Sequence, residues 1–431
     1  MHNPMASIIL SFVGQQDPFA KTETEGSIVT LVHHLLANHH IVKRVFLLHT
    51  DGTQQNAIDT KDWLLSEIKN LKEDTVSLLA ASEAFSQDPI NQSLAVQEAR
   101  QAVEQAWKHQ TVQDTLEFNG SSGTPAMKSC WAILQATGYA PHSHVWQVRN
   151  PKELQPGQAR VFRDDVNILK HEFDLKVIKR QVQDYNYSGA LVSFQASYFN
   201  SELVMALLNY GHCRMAFDFD RADQAIQPYK AILDQQWFKE IAALRQRSYT
   251  ALARECYLNG QTKLKNREYA EFLVLLSSFQ ETSLRALIEA KIPVDLRTGK
   301  DRTPEDVWRD LAAVEGGTLM AYLRQCKTPK GEPLRLTGFL NAFLMMAILE
   351  RYPEYLALLP ILKDLKKYID DRNDLVHRLA GVSEIQDLDT LQKHLKTILK
   401  AIAPLPGENP FDLLNQHICS LLDQAMQSSL S

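Results

Sequence analysis

The chain has 431 residues, of which 45% are hydrophobic and 23% are charged, and its formal net charge is -5. This length exceeds a single typical hydrophobic core, so we expect two or three domains. The modest charge, with only 17 prolines and 17 glycines, argues against a disordered tail and a general polyanion-binding surface. Five isolated cysteines without a C-x-x-C pair are typical of the reducing cytoplasm.

The first 150 residues alternate short apolar runs with helical patterns. Strands are predicted at residues 7–14, 42–50, 75–82, 114–120 and 142–148, and helices at 26–40, 53–71, 90–109 and 125–138. Five strands joined by four crossover helices predict a doubly wound, Rossmann-like parallel sheet. The N-terminal apolar run lacks a basic flank, and no segment approaches about 18 consecutive apolar residues, so we expect neither secretion nor membrane insertion.

After about Lys170 the strand patterns stop and helical patterns continue to the end of the chain. Breaks between helices are predicted at residues 209–222, 259–261, 291–306, 327–336 and 403–410. The fold class is therefore α/β plus all-α. We place a sheet domain at 1–155, a helical connector at 156–240 and a helical domain at 241–431, with the Pro- and Gly-containing stretch 150–165 as the joint.

Two loops are predicted to meet at a ligand site in the sheet domain. If the strand order is 3-2-1-4-5, the loops at 11–18 and 119–127 flank the point where the order reverses, where ligands bind in such sheets. Glycines and hydroxyl side chains in the second loop, and Pro125 at the start of a helix, favour a phosphate-bearing ligand. Neither a Walker A loop nor a G-x-G-x-x-G fingerprint is present. The alternative is that both loops are ordinary Gly/Ser turns.

The segments SIILSFVGQQDPF, VFLLHT with the downstream NAIDTKDWL, and NGSSGTPAM resemble a CARF domain, the CRISPR-associated Rossmann-fold sensor of cyclic oligoadenylates. The resemblance covers roughly residues 5–150. It implies a second-messenger pocket shared by the two subunits of a homodimer, for a ring of four or six adenylates. The implied ligand-binding residues are Ser11, Gly14, Gln15, Asp17, Thr50, Asn119, Ser121, Ser122, Gly123, Thr124 and Met127.

The segment RNDLVH carries Arg372 and His377 at the R-x4-H spacing of HEPN ribonucleases, with Asn373 after the arginine. Arg372 interrupts an apolar helical stripe that begins at Ile361. Five residues of regular helix set Arg372 and His377 about 140° apart. Either the helix is irregular, or two copies build one composite cleft. The alternative is a solvated Arg372 among neighbouring aspartates.

The resemblance as a whole is to a CARF–HEPN ribonuclease of type III CRISPR systems. It implies a cytoplasmic homodimer that cuts single-stranded RNA when cyclic oligoadenylate binds, without a metal, another cofactor or a stable partner protein. Histidine can exchange protons near neutral pH, and arginine offers permanent donors to phosphoryl oxygens. Slow cleavage of the ligand in the sensor pocket is a further possibility. The competing hypotheses are a catalytically silent nucleotide sensor that docks a partner through its helices, and a Rossmann-type oxidoreductase.

Two other features carry weaker predictions. The histidines of HHLLANHH are expected to form a solvated helix terminus rather than a metal site, because no cysteine or carboxylate stands at ligand spacing. The locally basic stretch from Arg245 to Arg267 is expected to be a solvated helix face rather than an RNA guide.

Overall fold

The computed structural model describes residues 6–20, 24–328, 330–377, 381–405 and 407–430, without the side chains of 167, 370–377 and 428–430. The chain divides into two compact units between Leu175 and Lys176. Each unit is described by itself below.

The first unit contains a six-stranded sheet. Its strands are β1 (Ala6–Phe12), β2 (Ile41–His49), β3 (Val76–Ala80), β4 (Asp114–Asn119), β5 (Ser143–Val148) and β6 (Val161–Asp164). The strand order is β3-β2-β1-β4-β5-β6, and only the β5–β6 pairing is antiparallel. The predicted parallel sheet with the 3-2-1-4-5 order is confirmed.

The sixth strand was not predicted. It lies in the stretch 150–165, which the proline and glycine content indicated as an interdomain joint. Instead, this stretch turns back and pairs Val148 with Val161, and the Arg149 guanidinium lies 3.8 Å from the centroid of the Phe162 ring. A four-residue strand is too short to show a clear two-residue apolar period, which explains the missed prediction.

Helices cover both faces of the sheet. They are α1 (Ser27–Ala37), α2 (Gln54–Glu67), α3 (Glu83–Gln87), α4 (Gln92–Trp107) and α5 (Pro125–Ala136). Alternate residues of β1 enter two separate cores: Ile8, Leu10 and Phe12 belong to one, and Ile9 belongs to the other. Because both faces are buried, β1 and β2 contain nearly continuous apolar runs. Helix α6 (Asn167–Gln183) crosses the division between the units.

The second unit is helical throughout its described residues. Its helices are α7 (Tyr187–Ala196), α8 (Glu202–Met215), α9 (Phe219–Ile226), α10 (Gln235–Arg245), α11 (Tyr249–Lys265), α12 (Tyr269–Lys291), α13 (Pro304–Ala313), α14 (Thr318–Gln325), α15 (Ala342–Glu350), α16 (Leu359–His377), α17 (Leu388–Ile402) and α18 (Pro410–Leu430). Across the described residues, none of the helices combines the length and the apolar character that crossing a membrane requires.

Two predicted helix breaks are wrong. Helix α8 continues to Met215, well into the break predicted at 209–222, and α11 runs through the one predicted at 259–261. A side chain at Gly260 would place its Cβ 3.3 Å from the Phe272 ring of α12. The glycine therefore allows α11 and α12 to pack closely rather than ending a helix.

A buried ion-pair network lies within the second unit. The Arg214 side chain, 4% exposed, donates through Nε and Nη2 to the two carboxylate oxygens of Glu255 at 2.8 Å each. It also donates to Glu240 and to the Tyr210 hydroxyl. A planar guanidinium with this many acceptors offsets the desolvation cost of the buried charge.

Helix α16 carries the R-x4-H motif on its backbone. Leu362, Leu365 and Ile369 are buried, so the first part of the predicted apolar stripe is confirmed. The Gln280 amide of α12 donates to the Leu362 carbonyl oxygen at 2.7 Å, which fixes the beginning of α16. The side chains of Arg372, Asn373 and His377 lie outside the described part of the chain.

Candidate functional site

A cavity of about 510 Å³ lies in the sheet unit, at the carboxyl ends of β1, β2 and β4. Its volume falls within the range typical of small-molecule sites. It includes most of the residues predicted to bind the ligand, namely Gly14, Gln15, Asp17, Thr50, Ser121, Ser122, Gly123, Thr124 and Met127. The structure therefore brings the loops after β1, β2 and β4 together around one space, as the switch-point argument predicted.

The loops after β1 and β4 touch through small residues. A Cβ added to Gly14 would lie 3.0 Å from the Gly123 nitrogen and 3.1 Å from the Ser122 hydroxyl oxygen. Gly123 has a φ of +90°, which disfavours any side chain, and the Met127 side chain packs where its Cβ would be. The glycines are needed because the two backbones approach each other directly.

Asp17 links the two loops beneath this contact. Its carboxylate accepts hydrogen bonds from the Gly14 and Ile28 backbone N–H groups, at 3.0 and 3.3 Å, and from the Ser122 hydroxyl. The side chain is 2% exposed. Burial raises the pKa of the Asp17 carboxyl above its ordinary value, although the hydrogen bonds from Ser122 and the backbone oppose this effect. The residue is therefore part of the cavity's framework as well as of its lining.

Ser11 and Asn119 were predicted to bind the ligand, but they are fully buried and lie outside the set of residues that lines the cavity. The Asn119 amide donates to the hydroxyls of Ser11 and Ser27, at 3.0 Å each, and its oxygen accepts the Ser121 N–H at 3.0 Å. The Ser11 hydroxyl donates to the Phe12 carbonyl oxygen. These two residues support the loops from below.

The structure adds lining residues that the sequence did not single out. Ser27, Thr53, Ser86 and Pro89 come from α1 and from the segments after β2 and β3. The Asp51 N–H donates to the Ser86 hydroxyl at 3.3 Å, which holds the segments after β2 and β3 together. Ligands in such sheets bind beyond the carboxyl ends of the strands. Because β3 neighbours β2, the same reasoning applied to the segment after β3 would have indicated Ser86.

Helix α5 begins at the cavity. Thr124 is its N-cap and accepts the Met127 N–H at 3.3 Å, while its hydroxyl donates to the Pro89 carbonyl oxygen at 2.6 Å. Lys128, on the first turn after Pro125, also lines the cavity and is exposed. Asp17 and Lys128 are the charged residues of the described lining.

The histidines near the end of α1 are only partly a solvated terminus. His33 and His39 are exposed, but the His34 ring lies 5.2 Å from the Trp146 ring, and His40 Nδ1 pairs with the Ser7 hydroxyl at 2.8 Å. Within the described residues, no group of three or more His, Cys, Asp or Glu side chains is arranged to hold a metal ion.

Glu117 is a buried carboxylate on β4. It accepts hydrogen bonds from Trp146 Nε1 at 2.6 Å and from the Thr115 hydroxyl at 2.5 Å, and His144 Nδ1 lies 3.1 Å from it. Burial alone would raise the pKa of Glu117, but the hydrogen bonds and the charge of His144 outweigh it and hold the pKa below its ordinary value. The carboxylate therefore joins β4 to β5.

The basic stretch of the helical unit borders a second cavity, of about 800 Å³. Lys263 pairs with Glu268, and Lys265 donates to the Tyr185 hydroxyl at 2.8 Å and pairs with Asp412 at 2.6 Å. Helices α6, α8 and α11 all end beside this cavity. Cations are favourable at helix C-termini, so a structural role accounts for these lysines.

Residues 241–419 match the family model of the Cas_Csm6 HEPN domain. The matched segment spans less than half of the chain. It contains α16, and with it the R-x4-H segment. No curated protein matches the chain.

A solved structure matches nearly the full length of the chain. Among 23 matching chains is Enterococcus italicus Csm6 bound to cyclic hexa-2'-fluoro-hexa-dAMP, with a TM-score of 0.68 and 16% sequence identity. The match covers 96% of this chain and 100% of that chain. At this identity the likeness concerns the fold. The predicted architecture, a Rossmann-like parallel sheet followed by an all-helical region that ends in a HEPN-like segment, is confirmed.

Proposed function

We propose that this chain is a cyclic-oligoadenylate-activated endoribonuclease of type III CRISPR antiviral defence. The observation that carries the proposal is the Csm6 HEPN match over residues 241–419, in a chain whose other unit forms a cavity at the switch point of a Rossmann-like sheet. In this chain we assign residues 1–155 to a ligand-sensing domain, residues 156–240 to a helical connector and residues 241–431 to the HEPN domain.

The sensor cavity takes the cyclic oligoadenylate. Its lining is rich in hydroxyl side chains, which can form hydrogen bonds to phosphates and riboses. A ligand that binds the active conformation of the protein more tightly than the inactive one shifts the population toward the active conformation. The ratio of the two affinities limits the size of this shift.

The HEPN domain cuts single-stranded RNA by internal attack. The ribose 2′-oxygen bonds to the adjacent phosphorus and loses its proton, while the bond to the 5′-oxygen breaks and that oxygen gains a proton. His377 transfers a proton, Arg372 donates to the phosphoryl oxygens, and Asn373 holds His377 or the phosphate. Single strands are preferred because in-line attack needs a backbone free of A-form restraint. This chemistry requires no metal.

The active form is a homodimer. On a regular helix Arg372 and His377 diverge by about 140°, so one copy aims only part of the set at a single phosphate. A two-fold arrangement places both copies of α16 at one cleft, and the arginine then meets water and RNA rather than an apolar core.

The experiment is a cleavage assay on a fluorophore-quencher RNA with EDTA present. Cyclic tetraadenylate, cyclic hexaadenylate and a linear hexaadenylate are compared as activators. Arg372→Ala and His377→Ala should lower the cleavage rate by about 10²-fold or more, as expected for loss of a general acid–base or phosphate-binding group. Lys366→Ala, an exposed change on the same helix, should cut at the parental rate.

The controls distinguish the competing hypotheses. Both motif variants should bind the activating cyclic oligoadenylate in calorimetry as the parent does. Binding without any cleavage by the parent protein would leave a silent sensor, and undiminished cutting by His377→Ala would refute the motif assignment. Sedimentation equilibrium that showed an active monomer would refute the composite cleft.

Slow cleavage of the ligand in the sensor cavity is a second part of the proposal. Thr50 lines the cavity with the loop that follows β1, and these are the residues that would orient a 2′-hydroxyl for attack on its own phosphate. Chromatography of cyclic oligoadenylate after incubation with the His377→Ala variant tests this activity apart from the HEPN site.

A further inference from the structure

The basic loop, residues 326–341 between α14 and α15, combines cationic side chains with an exposed aromatic ring. Lys327, Lys330 and Arg335 are exposed, and the Phe339 side chain is 70% exposed. The loop contains a single acidic residue. Cations that follow a phosphate backbone and aromatic rings on which bases stack are the two features with which proteins bind single-stranded nucleic acid.

The cations of the basic loop have no carboxylate partner among the described residues. Neither Lys327 nor Lys330 has an ion pair or a side-chain hydrogen bond there, and Arg335 donates to the Thr337 hydroxyl at 3.2 Å. The charges of the loop are therefore available to a polyanion. Five nearby arginines are paired with carboxylates instead, namely Arg285, Arg297, Arg302, Arg309 and Arg351.

Backbone hydrogen bonds fix the shape of the basic loop. The Thr328 N–H donates to the Glu332 carbonyl oxygen at 2.7 Å, and the Gly331 N–H donates to the Thr328 carbonyl oxygen at 2.8 Å. Lys327 and Pro333 form an antiparallel bridge. These contacts form a tight turn that carries both lysines of the loop.

The backbone on both sides of Phe339 is held by side chains of neighbouring helices. Trp308 Nε1 of α13 donates to the Gly338 carbonyl oxygen at 2.7 Å, and Arg285 of α12 donates to the Leu340 carbonyl oxygen at 3.4 Å. Because these contacts already order the backbone, a base that stacks on the exposed ring costs little further conformational entropy. The ring is therefore a preformed platform for stacking.

The basic loop is attached to the same helix as the beginning of α16. Arg285 of α12 donates to the Leu340 carbonyl oxygen, and Gln280 of α12 donates to the Leu362 carbonyl oxygen. Gln280 and Arg285 are five residues apart in the sequence, which is about 7.5 Å along a helix axis. Helix α15, which follows the loop, packs on both α12 and α16. The loop is thus anchored close to the helix that carries the R-x4-H segment.

We infer that the basic loop binds the single-stranded RNA substrate, with Lys327, Lys330 and Arg335 on its phosphates and Phe339 stacked on an unpaired base. The inference rests on the proposed function and names the surface that holds the RNA away from the reacting phosphate. Every base has a face for stacking, so the loop adds affinity without fixing the sequence that is cut. A duplex keeps its bases stacked on one another, so the loop also favours single strands.

The first test measures binding of an uncleavable 2′-O-methyl RNA to the full-length protein by fluorescence anisotropy, with cyclic tetra- and hexaadenylate added in turn. Phe339→Ala should weaken binding by about fivefold to a hundredfold, the loss expected for one base–aromatic stack. Phe339→Leu, which keeps an apolar side chain without a ring, should weaken binding in the same way, and Phe339→Trp should retain it. Unchanged affinity in Phe339→Ala overturns the inference.

The second test measures how the affinity depends on salt. Lys327→Gln combined with Lys330→Gln should lower the slope of log affinity against log salt by about 1.4, since each phosphate contact of a single strand contributes about 0.7. Lys69→Gln combined with Lys108→Gln is the matched control, because it removes the same charge from exposed positions of the sheet unit. The control should keep the parental slope, and equal slopes in the two double variants overturn the phosphate contacts.

Further measurements separate RNA binding from other roles of Phe339. In the cleavage assay Phe339→Ala should raise KM and leave kcat unchanged, because the ring binds RNA away from the reacting phosphate. Its urea midpoint of unfolding should equal that of the parent, since the ring is exposed. A lower midpoint indicates a structural role, and altered sedimentation with unchanged RNA affinity indicates a protein contact; either result overturns the inference.

Failure of this inference is distinguishable from failure of the proposed function. If the parent protein cleaves no RNA with either cyclic oligoadenylate, the proposed function fails. If the parent cleaves RNA and Phe339→Ala cleaves it with the parental KM, the inference alone is overturned.

Discussion

Gly26→Ala should disrupt the sensor cavity from a position outside its lining. Gly26 precedes α1, and its N–H donates to the Pro18 carbonyl oxygen at 2.8 Å. A Cβ at this position would lie 2.5 Å from the Asp17 carboxylate, 2.5 Å from the Gln16 carbonyl oxygen and 2.9 Å from the Pro18 carbonyl oxygen. Two of these three atoms belong to the backbone, so a change of rotamer cannot relieve the contact.

The cost follows from what must move. Overpacking at a closed site costs about 1–3 kcal/mol, and weakening one hydrogen bond to the Asp17 carboxylate adds about 1.5–3 kcal/mol if it is lost outright. Because partial relaxation is expected, we predict a loss of about 2–4 kcal/mol in the free energy of unfolding of the sheet unit. Displacement of Asp17 should also separate the loops at Gly14 and Gly123, and weaken binding of cyclic oligoadenylate.

The assay is urea unfolding followed by intrinsic fluorescence, together with a calorimetric titration of the ligand. Gly52→Ala is the matched control, because Gly52 lines the same cavity and a Cβ there meets no atom within 4 Å. It should stay within about 0.5–1 kcal/mol of the parent. Equal stability and affinity in the two variants would refute the argument that the backbone closes on Asp17.

Three further predictions concern buried polar groups. Arg214→Met removes the ion-pair partner of the buried Glu255, so urea unfolding should show a loss of about 3–5 kcal/mol; a loss below about 1 kcal/mol would contradict this account. The lowered pKa of Glu117 means that its stabilisation is present above its ordinary value of 4.5 and is lost as the pH falls through the native value. The stability deficit of Glu117→Gln should therefore shrink below pH 4.5, and a deficit independent of pH would be the contrary result. Gln280→Leu removes the hydrogen bond that fixes the beginning of α16, so kcat for RNA cleavage should fall with KM unchanged, unlike in Lys366→Ala.

The sheet was predictable because local and global signals agree in it. The first five strands carry short apolar runs or alternating apolar residues between turn residues, and the crossover helices leave only parallel pairing among them. Where tertiary packing decides, the prediction failed. A glycine in a polar segment usually indicates a helix break, but Gly260 lies inside α11. The Phe272 ring of α12 occupies the space beside it, so this position needs a residue without a side chain. Gly260 and Phe272 belong to different helices, so the sequence pattern around Gly260 does not indicate their contact.

The sequence predicted where the candidate site lies. It did not predict which residues line the cavity and which support the loops from below. The strand-end rule indicated the loops, and the structure brings them around one cavity. Ser86 was missed because the end of the third strand was not considered, whereas Thr53 and Lys128 lie just beyond the predicted Thr50 and the predicted loop 119–127.

A physical criterion separates residues that support the loops from residues that can contact a ligand, and amino-acid composition does not contain it. A residue whose hydrogen-bonding groups are all satisfied within the protein has none left for a ligand. Asn119 uses its amide on Ser11 and Ser27 and its oxygen on the Ser121 N–H. Asn119 therefore positions Ser121, which lines the cavity, rather than lining it itself. Small polar residues occur both among the residues that line the cavity and among those that support the loops, so only their hydrogen-bond partners distinguish the two groups.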